Sequence, residues 1–353
     1  MSNEKWGKLT ISLTFILLVV IGGFVIFIDP FFHYHSPLDN LEYDLHSEWY
    51  QNDGIARNFD YDAMLTGTSM IEMTKTSELD QIFGTNSIKI PYGGGSYMQI
   101  DKLVQQATKS NPNLKIVIRG LDFNRLVTDT VDAVRGDVAF PEYLYNDNPF
   151  DDVQYILNKD VFLNEAVSTI FYTKAGNTTI SFDDYGTWNG EYEYGINAIL
   201  AGHSTDEERW ETLPVDEEEF QLIYDNIQAN VIDTALANPD VEFYYFIPPY
   251  SIYAFDSYDR VGELEKVIEY HERAMAMMLE VPNIKLYSFL NLYSVIENPD
   301  NYRDEYHYGM WVNTELLMHL KNEEYIVTKE NFDAYCQEVE NYYLNYNYEA
   351  LFQ

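Results

Sequence analysis

Apolar residues along this chain fall into two patterns, with one exception at the N-terminus. Five short runs are dense in β-branched and aromatic residues and are bounded by turn-forming residues: Tyr61–Thr66, Ser87–Tyr92, Lys115–Leu121, Val241–Ile247 and Ile284–Ser288. Between them lie stretches with apolar residues near a helical period. Met98–Ser110 carries Met98, Ile100, Leu103, Val104 and Ala107; Glu218–Ala237 carries Phe220, Ile223, Ile227, Val231 and Leu236. Glu263–Leu279 repeats the pattern, and Thr328–Phe352 predicts a last helix with Phe332, Tyr335, Val339, Tyr342 and Tyr343 on its apolar face. Asn111-Pro112 and Asn238-Pro239 mark helix ends just before strands. Strands alternating with helices predict an α/β fold: a five-stranded parallel sheet in order 2-1-3-4-5, sandwiched between helices in a flavodoxin-like three-layer arrangement.

The exception is Leu9–Ile28, an uncharged and mostly apolar run. At about 1.5 Å per residue it reaches roughly 30 Å, the depth of a bilayer core. Lys5 and Lys8 precede it, and no Lys or Arg follows until Arg57. The positive-inside rule then places residues 1–8 in the cytoplasm and everything after the span outside the cell membrane. The Phe-Ile-Asp-Pro that closes the run lacks a small-residue cleavage site, so it reads as an uncleaved anchor. Residues 29–58 read as a juxtamembrane connector and 59–353 as the α/β domain. His33 and His35, two apart on an extended segment, have metal-ligand spacing, but aromatic packing onto the domain is the better reading.

The third and fourth runs are about 120 residues apart, far more than one crossover helix needs. The excess, about 125–216, reads as an insertion that covers the C-terminal edge of the sheet. Its acidic cluster of Asp147, Asp151 and Asp152 lacks the spacing of an EF-hand and reads as a solvated loop.

Charge narrows the choice of partners. With 58 acidic and 21 basic side chains the formal net charge is -37, which excludes nucleic acid as a partner because phosphates would be repelled. Apolar residues at 46% exclude a disordered acidic tail. The single cysteine, Cys336, excludes an intrachain disulfide.

Candidate chemistry collects at the ends of the predicted strands. Gly67-Thr68-Ser69 follows the first, where Gly67 permits a sharp turn and Ser69 stands beside the free N–H groups of a helix start. Ser69 reads either as a nucleophile or as a helix cap. After the second strand comes Tyr92-Gly-Gly-Gly-Ser96, in which Gly94 and Gly95 let the backbone approach a substrate; after the third comes Gly120-Leu-Asp-Phe-Asn124, with Asp122 and Asn124 as polar groups. After the fifth comes Asp304-Glu-Tyr-His307, where an Asp three residues before a His can orient the imidazole.

This order of blocks resembles the SGNH/GDSL hydrolase superfamily over roughly residues 60–320. The resemblance implies Ser69 as nucleophile, His307 as base, Asp304 as its orienter, and oxyanion donors from the backbone N–H groups of Ser69 and Gly95. It implies no metal and no organic cofactor. The third block departs from the family pattern: Asp122 stands where an Asn usually donates to the oxyanion, and a carboxylate there would repel it. Either Asn124 takes that role, or Asp122 serves another, or the donor is missing.

The layout of one anchor before an extracellular domain is similar to membrane-tethered acyltransferases, the teichoic acid D-alanyl transfer proteins and the exopolysaccharide O-acetyltransferases. It implies an extracytoplasmic serine esterase or O-acyltransferase acting on acyl esters of a cell-envelope glycan or teichoic acid-like polymer. A membrane-bound O-acyltransferase would be the partner for transfer. The alternatives are a catalytically inactive relative that binds envelope glycans through an aromatic-rich cleft, and a cation-binding surface protein.

Overall fold

The computed structural model describes residues 2–136, 140–188, 192–204 and 209–352. The chain divides into two compact units: Met1–Asp60 with Val138–Ser181, and Tyr61–Asp137 with Phe182–Gln353. The predicted insertion is therefore split, its middle clustering with the N-terminal residues and its remainder with the sheet.

The larger unit is α/β. Its sheet is built from β1 (Ala63–Gly67), β2 (Ser87–Pro91), β3 (Ile116–Gly120), β4 (Glu242–Ile247), β5 (Ile284–Ser288) and β6 (Ile326–Val327), in order β2-β1-β3-β4-β5-β6. The first five are parallel in the expected order, with Ala63 opposite Ser87 on one side and Ile116 on the other. The expectation of a five-stranded, wholly parallel sheet is corrected by β6, which pairs antiparallel with β5 through Leu286–Val327 and Tyr287–Ile326. A two-residue strand offers no periodicity to read, which is why the sequence hid it. Nearly every residue of β1, β2 and β3 is buried, as expected for strands covered on both faces.

Helices form where the pattern placed them. Tyr97–Ser110 opens on a full capping box, with the Ser96 side chain accepting from the Gln99 N–H and the Gln99 side chain accepting from the Ser96 N–H. The stretch after Asp216 runs as Glu217–Ile227, a wider-wound turn at Gln228–Ile232, then Asp233–Ala237. The C-terminal helix is shorter than expected, Phe332–Leu344, and buries Tyr335, Val339 and Tyr343. Arg119 of β3 is fully buried, donating to the carbonyls of Asn230 (2.7 Å) and Tyr97 (3.1 Å) with Asp101 at 3.6 Å. A charge inside a strand is tolerated here because it is paired and hydrogen-bonded.

The smaller unit is organised around the helix Asn3–Ile28, which is long and apolar enough to cross a membrane. Its last turn enters an apolar cluster of Val25, Ile28, Phe31, Leu144, Tyr155, Val161 and Ala166. Asp29 ends it in a left-handed conformation (φ 47°). The Asp29 carboxylate accepts from the backbone N–H groups of His33, Tyr34 and His35 and from the Tyr155 hydroxyl. The stretch 29–58, expected to be a polar connector, holds a helix at Glu48–Asn58. His33 faces Asp152 at 3.4 Å, whereas the His35 ring meets the carbonyls of Ser36 and Ile26, so the two imidazoles take different partners. The Asp147 carboxylate pairs with Arg57, Asp151 accepts from Asn146, and Asp152 accepts from the Tyr34 hydroxyl.

Candidate active site

The candidate residues stand at the C-terminal edge of β1, β2 and β3 and on a loop anchored after β4. Gly67 ends β1 with φ +152°, and a Cβ there would lie 3.2 Å from the Gly120 carbonyl oxygen and from Ile71. Only glycine fits that crossing without displacement. Ser69 follows in a single turn of 3-10 helix, Ser69–Ile71; the next α-helix begins only at Thr76. Thr68 takes the capping place, its hydroxyl accepting from the Met70 N–H (3.4 Å). The Ser69 side chain therefore does not cap, and it is part-exposed at the edge of the sheet.

His307 arrives from far along the chain. Its loop is closed by a bridge between Tyr302 and Tyr308 and by the Arg303 N–H donating to the His307 carbonyl (3.0 Å). Ser251, just beyond β4, fastens the loop through its N–H (3.2 Å) and hydroxyl (2.6 Å), both donating to the Glu305 carbonyl. The result puts Ser69 Oγ 2.8 Å from His307 Nε2, and His307 Nδ1 2.8 Å from Asp304 Oδ2. A carboxylate only accepts, so Asp304 places the proton of a neutral imidazole on Nδ1 and leaves Nε2 to receive the Ser69 hydroxyl hydrogen.

Asp304 is itself held. Burial pushes its carboxyl up, but the His307 ring and the backbone N–H groups of His307 and Tyr306 outweigh it and hold the pKa at about 2. The Arg303 Nε–H adds a bond to Oδ2 (3.3 Å). The Arg303 guanidinium lies over the rings of Trp188 (4.1 Å) and Tyr192 (4.2 Å), and Trp188 meets the His307 ring edge-on at 5.0 Å. Sequence reasoning missed these three. The adjacency of Arg303 to Asp304 was a usable signal; the approach of Trp188 across more than a hundred positions was not.

The glycine block differs from expectation. The Gly95 N–H donates to the Tyr92 carbonyl (2.8 Å), closing a tight turn with Gly94 left-handed at φ +66°. Gly95 is thus spent on the turn and is not a free donor. Among the described residues, the N–H groups of Ser69 and Gly94 make no hydrogen bond.

Asp122 is a fastening. One oxygen accepts from the Thr68 hydroxyl (2.9 Å), the other from the Tyr250 hydroxyl and the Arg125 N–H (3.3 Å), capping the helix Phe123–Thr128. It ties β3 to the residue before Ser69, which is the other role that the sequence left open for Asp122. Asn124 is part-buried within that helix, and its side chain makes no hydrogen bond among the described residues.

A second histidine network adjoins the loop. The buried His203 ring lies between Asp256 (2.8 Å) and Glu305 (2.6 Å), and Asp256 also receives Arg209 and Arg260. Burial works against its charge, but the two carboxylates outweigh that and raise it to about 9.

No protein-family model matches this chain, and no curated protein matches it.

Proposed function

We propose that this protein is a serine esterase or O-acyltransferase of the SGNH kind, anchored by its N-terminal helix with the α/β domain outside the cell. The observation that carries the reading is the unbroken line from Ser69 Oγ through His307 to Asp304, with both contacts at 2.8 Å. Serine is a weak nucleophile until a base takes its proton. In this reading, Ser69 Oγ attacks the acyl carbonyl while His307 Nε2 takes its hydrogen. Asp304 stabilises the resulting imidazolium. The free N–H groups of Ser69 and Gly94 are the donors for the developing oxyanion, replacing the Gly95 and Asp122 or Asn124 roles of the family pattern. The imidazolium then protonates the departing alcohol. Water or a glycan hydroxyl, deprotonated by His307, releases the acyl group from Ser69.

An envelope glycan or teichoic acid-like polymer suits the aromatic surroundings of His307, where Trp188 and Tyr192 offer ring faces and edges to a sugar. Transfer to such a polymer would draw on a membrane-bound O-acyltransferase. The test is incubation of the purified full chain with an activated acyl ester and mass analysis of the Ser69 peptide. An acyl adduct on Ser69 that decays with turnover supports the reading. Absence of both adduct and turnover refutes it and favours an inactive glycan-binding relative.

A further inference from the structure

We infer that the stretch Val153–Ala166 of the smaller unit is seated in the outer-leaflet interface of the bilayer, as a collar around the emerging end of the N-terminal helix. The inference rests on reading Asn3–Ile28 as a membrane anchor. The collar consists of the helix Val153–Ile156, a short loop, and the wide-wound turn Val161–Ala166.

The argument begins with depth. Gly22, Val25 and Ile28 form the one buried stripe of the N-terminal helix. A Cβ at Gly22 would lie 3.4 Å from the Leu157 side chain and 3.8 Å from Ile156, and the Phe24 ring meets Phe162 edge-on at 5.6 Å. The collar therefore grips the helix from Gly22 outward, about 9 Å of its length. If the bilayer ended below that grip, residues 9–21 would have to span it with only about 20 Å, well short of a core of ~30 Å. The gripped turns must lie at lipid depth.

The uncovered face of the same turns agrees. Ile26 is 38% exposed and Phe27 62% exposed, at the level where Val25 and Ile28 are buried. Water is a poor solvent for that face and acyl chains are a good one. Whatever covers the opposite face at that depth also meets lipid, and the collar presents Leu157 (36% exposed) and Leu163 (47% exposed). Its polar residues set the limit of immersion. Lys159 and Asp160 are exposed beside Leu157, so Leu157 meets the acyl chains while the charged side of the loop is turned to the headgroups, with the Lys159 ammonium reaching out to phosphate. Tyr34 and His35, whose ring contacts the Ile26 carbonyl, fall at headgroup level.

The test uses the full chain in nanodiscs of mixed zwitterionic and anionic phospholipid. Cys336 is replaced by Ser, and single nitroxide labels are placed at Leu157→Cys, Leu163→Cys, Leu13→Cys within the span, and Glu349→Cys as a solvent reference. Accessibility to oxygen is compared with accessibility to a polar relaxant. The expected result is an oxygen-to-polar ratio at 157 and 163 several-fold above that at 349 and approaching that at 13. Ratios at 157 and 163 equal to that at 349, with 13 in lipid, overturn the collar and leave the anchor standing. Shielding of 157 and 163 from both reagents overturns it in favour of a protein partner. A water-like ratio at 13 removes the anchor reading and the collar with it.

Discussion

Ser69 Oγ and His307 Nε2 stand 2.8 Å apart although 238 positions separate the two residues in the chain. Two fastenings produce that meeting. The Asp122 carboxylate holds Thr68 against β3, and the Ser251 N–H and hydroxyl hold the Glu305 carbonyl. Neither fastening touches the hydroxyl itself, which stays free to react.

Ser69→Ala and His307→Ala should each lower kcat for an activated acyl ester by about 10⁴-fold or more, and the double variant should be within a few-fold of either. Asp304→Asn should cost less than either single change. All three variants should keep the thermal transition of the wild type to within a few degrees, because Ser69 does not cap the turn it begins. Steady-state kinetics with circular dichroism melts measures both.

Asp122→Asn separates a fastening from an oxyanion contact. The amide places an NH₂ where one oxygen now accepts, from Thr68 or from Tyr250 and Arg125. The expected cost is about 1–3 kcal/mol of stability, with no gain in activity. A stable variant with raised activity would show instead that this position faces the oxyanion. Urea unfolding and initial rates decide between them.

Gly95→Ala should destabilise more than Gly94→Ala. At Gly95 a Cβ would lie 2.6 Å from the Tyr92 ring and 3.0 Å from its carbonyl oxygen, whereas at Gly94 no atom lies within 4 Å. Gly94→Ala carries only the left-handed backbone cost, about 1–2 kcal/mol. Paired chemical melts of the two variants check the order.

Stability should fall at alkaline pH because of His203. Its pKa is raised to about 9 from an ordinary 6.5, so its contribution is full below about pH 6.5 and is lost as pH rises through about 9. His46 of the smaller unit, raised to about 9 mainly by its bond to Glu165, fades over the same window, but it is half-exposed and counts for less. His203→Gln should therefore flatten, not abolish, the decline in Tm between pH 6.5 and pH 9.5. An unchanged slope in His203→Gln would remove His203 as the source.

The order of the parallel strands was legible because each run is short, apolar and flanked by turn residues, and because right-handed crossovers leave few arrangements. Ser69, Asp304 and His307 were legible as types at the ends of those strands. What was not legible depended on packing between distant segments. Gly95 was expected to donate to substrate, but its N–H is taken by Tyr92 within the same turn. For Asp122 the sequence left three readings open, and its partners Thr68 and Tyr250, both distant in the chain, could not be read from the local pattern. Nothing in the local pattern announces that Asp256 and Glu305 enclose His203, or that residues 138–181 cluster with the N-terminal helix and not with the sheet.

The most direct test of an activated Ser69 is labelling of the folded full chain with a fluorophosphonate probe, which reacts with a serine whose hydroxyl a neighbouring base has primed. Labelling of the wild type at Ser69, abolished in Ser69→Ala and strongly reduced in His307→Ala, is the expected result. No labelling of folded wild type, or equal labelling of Ser69→Ala, would contradict it.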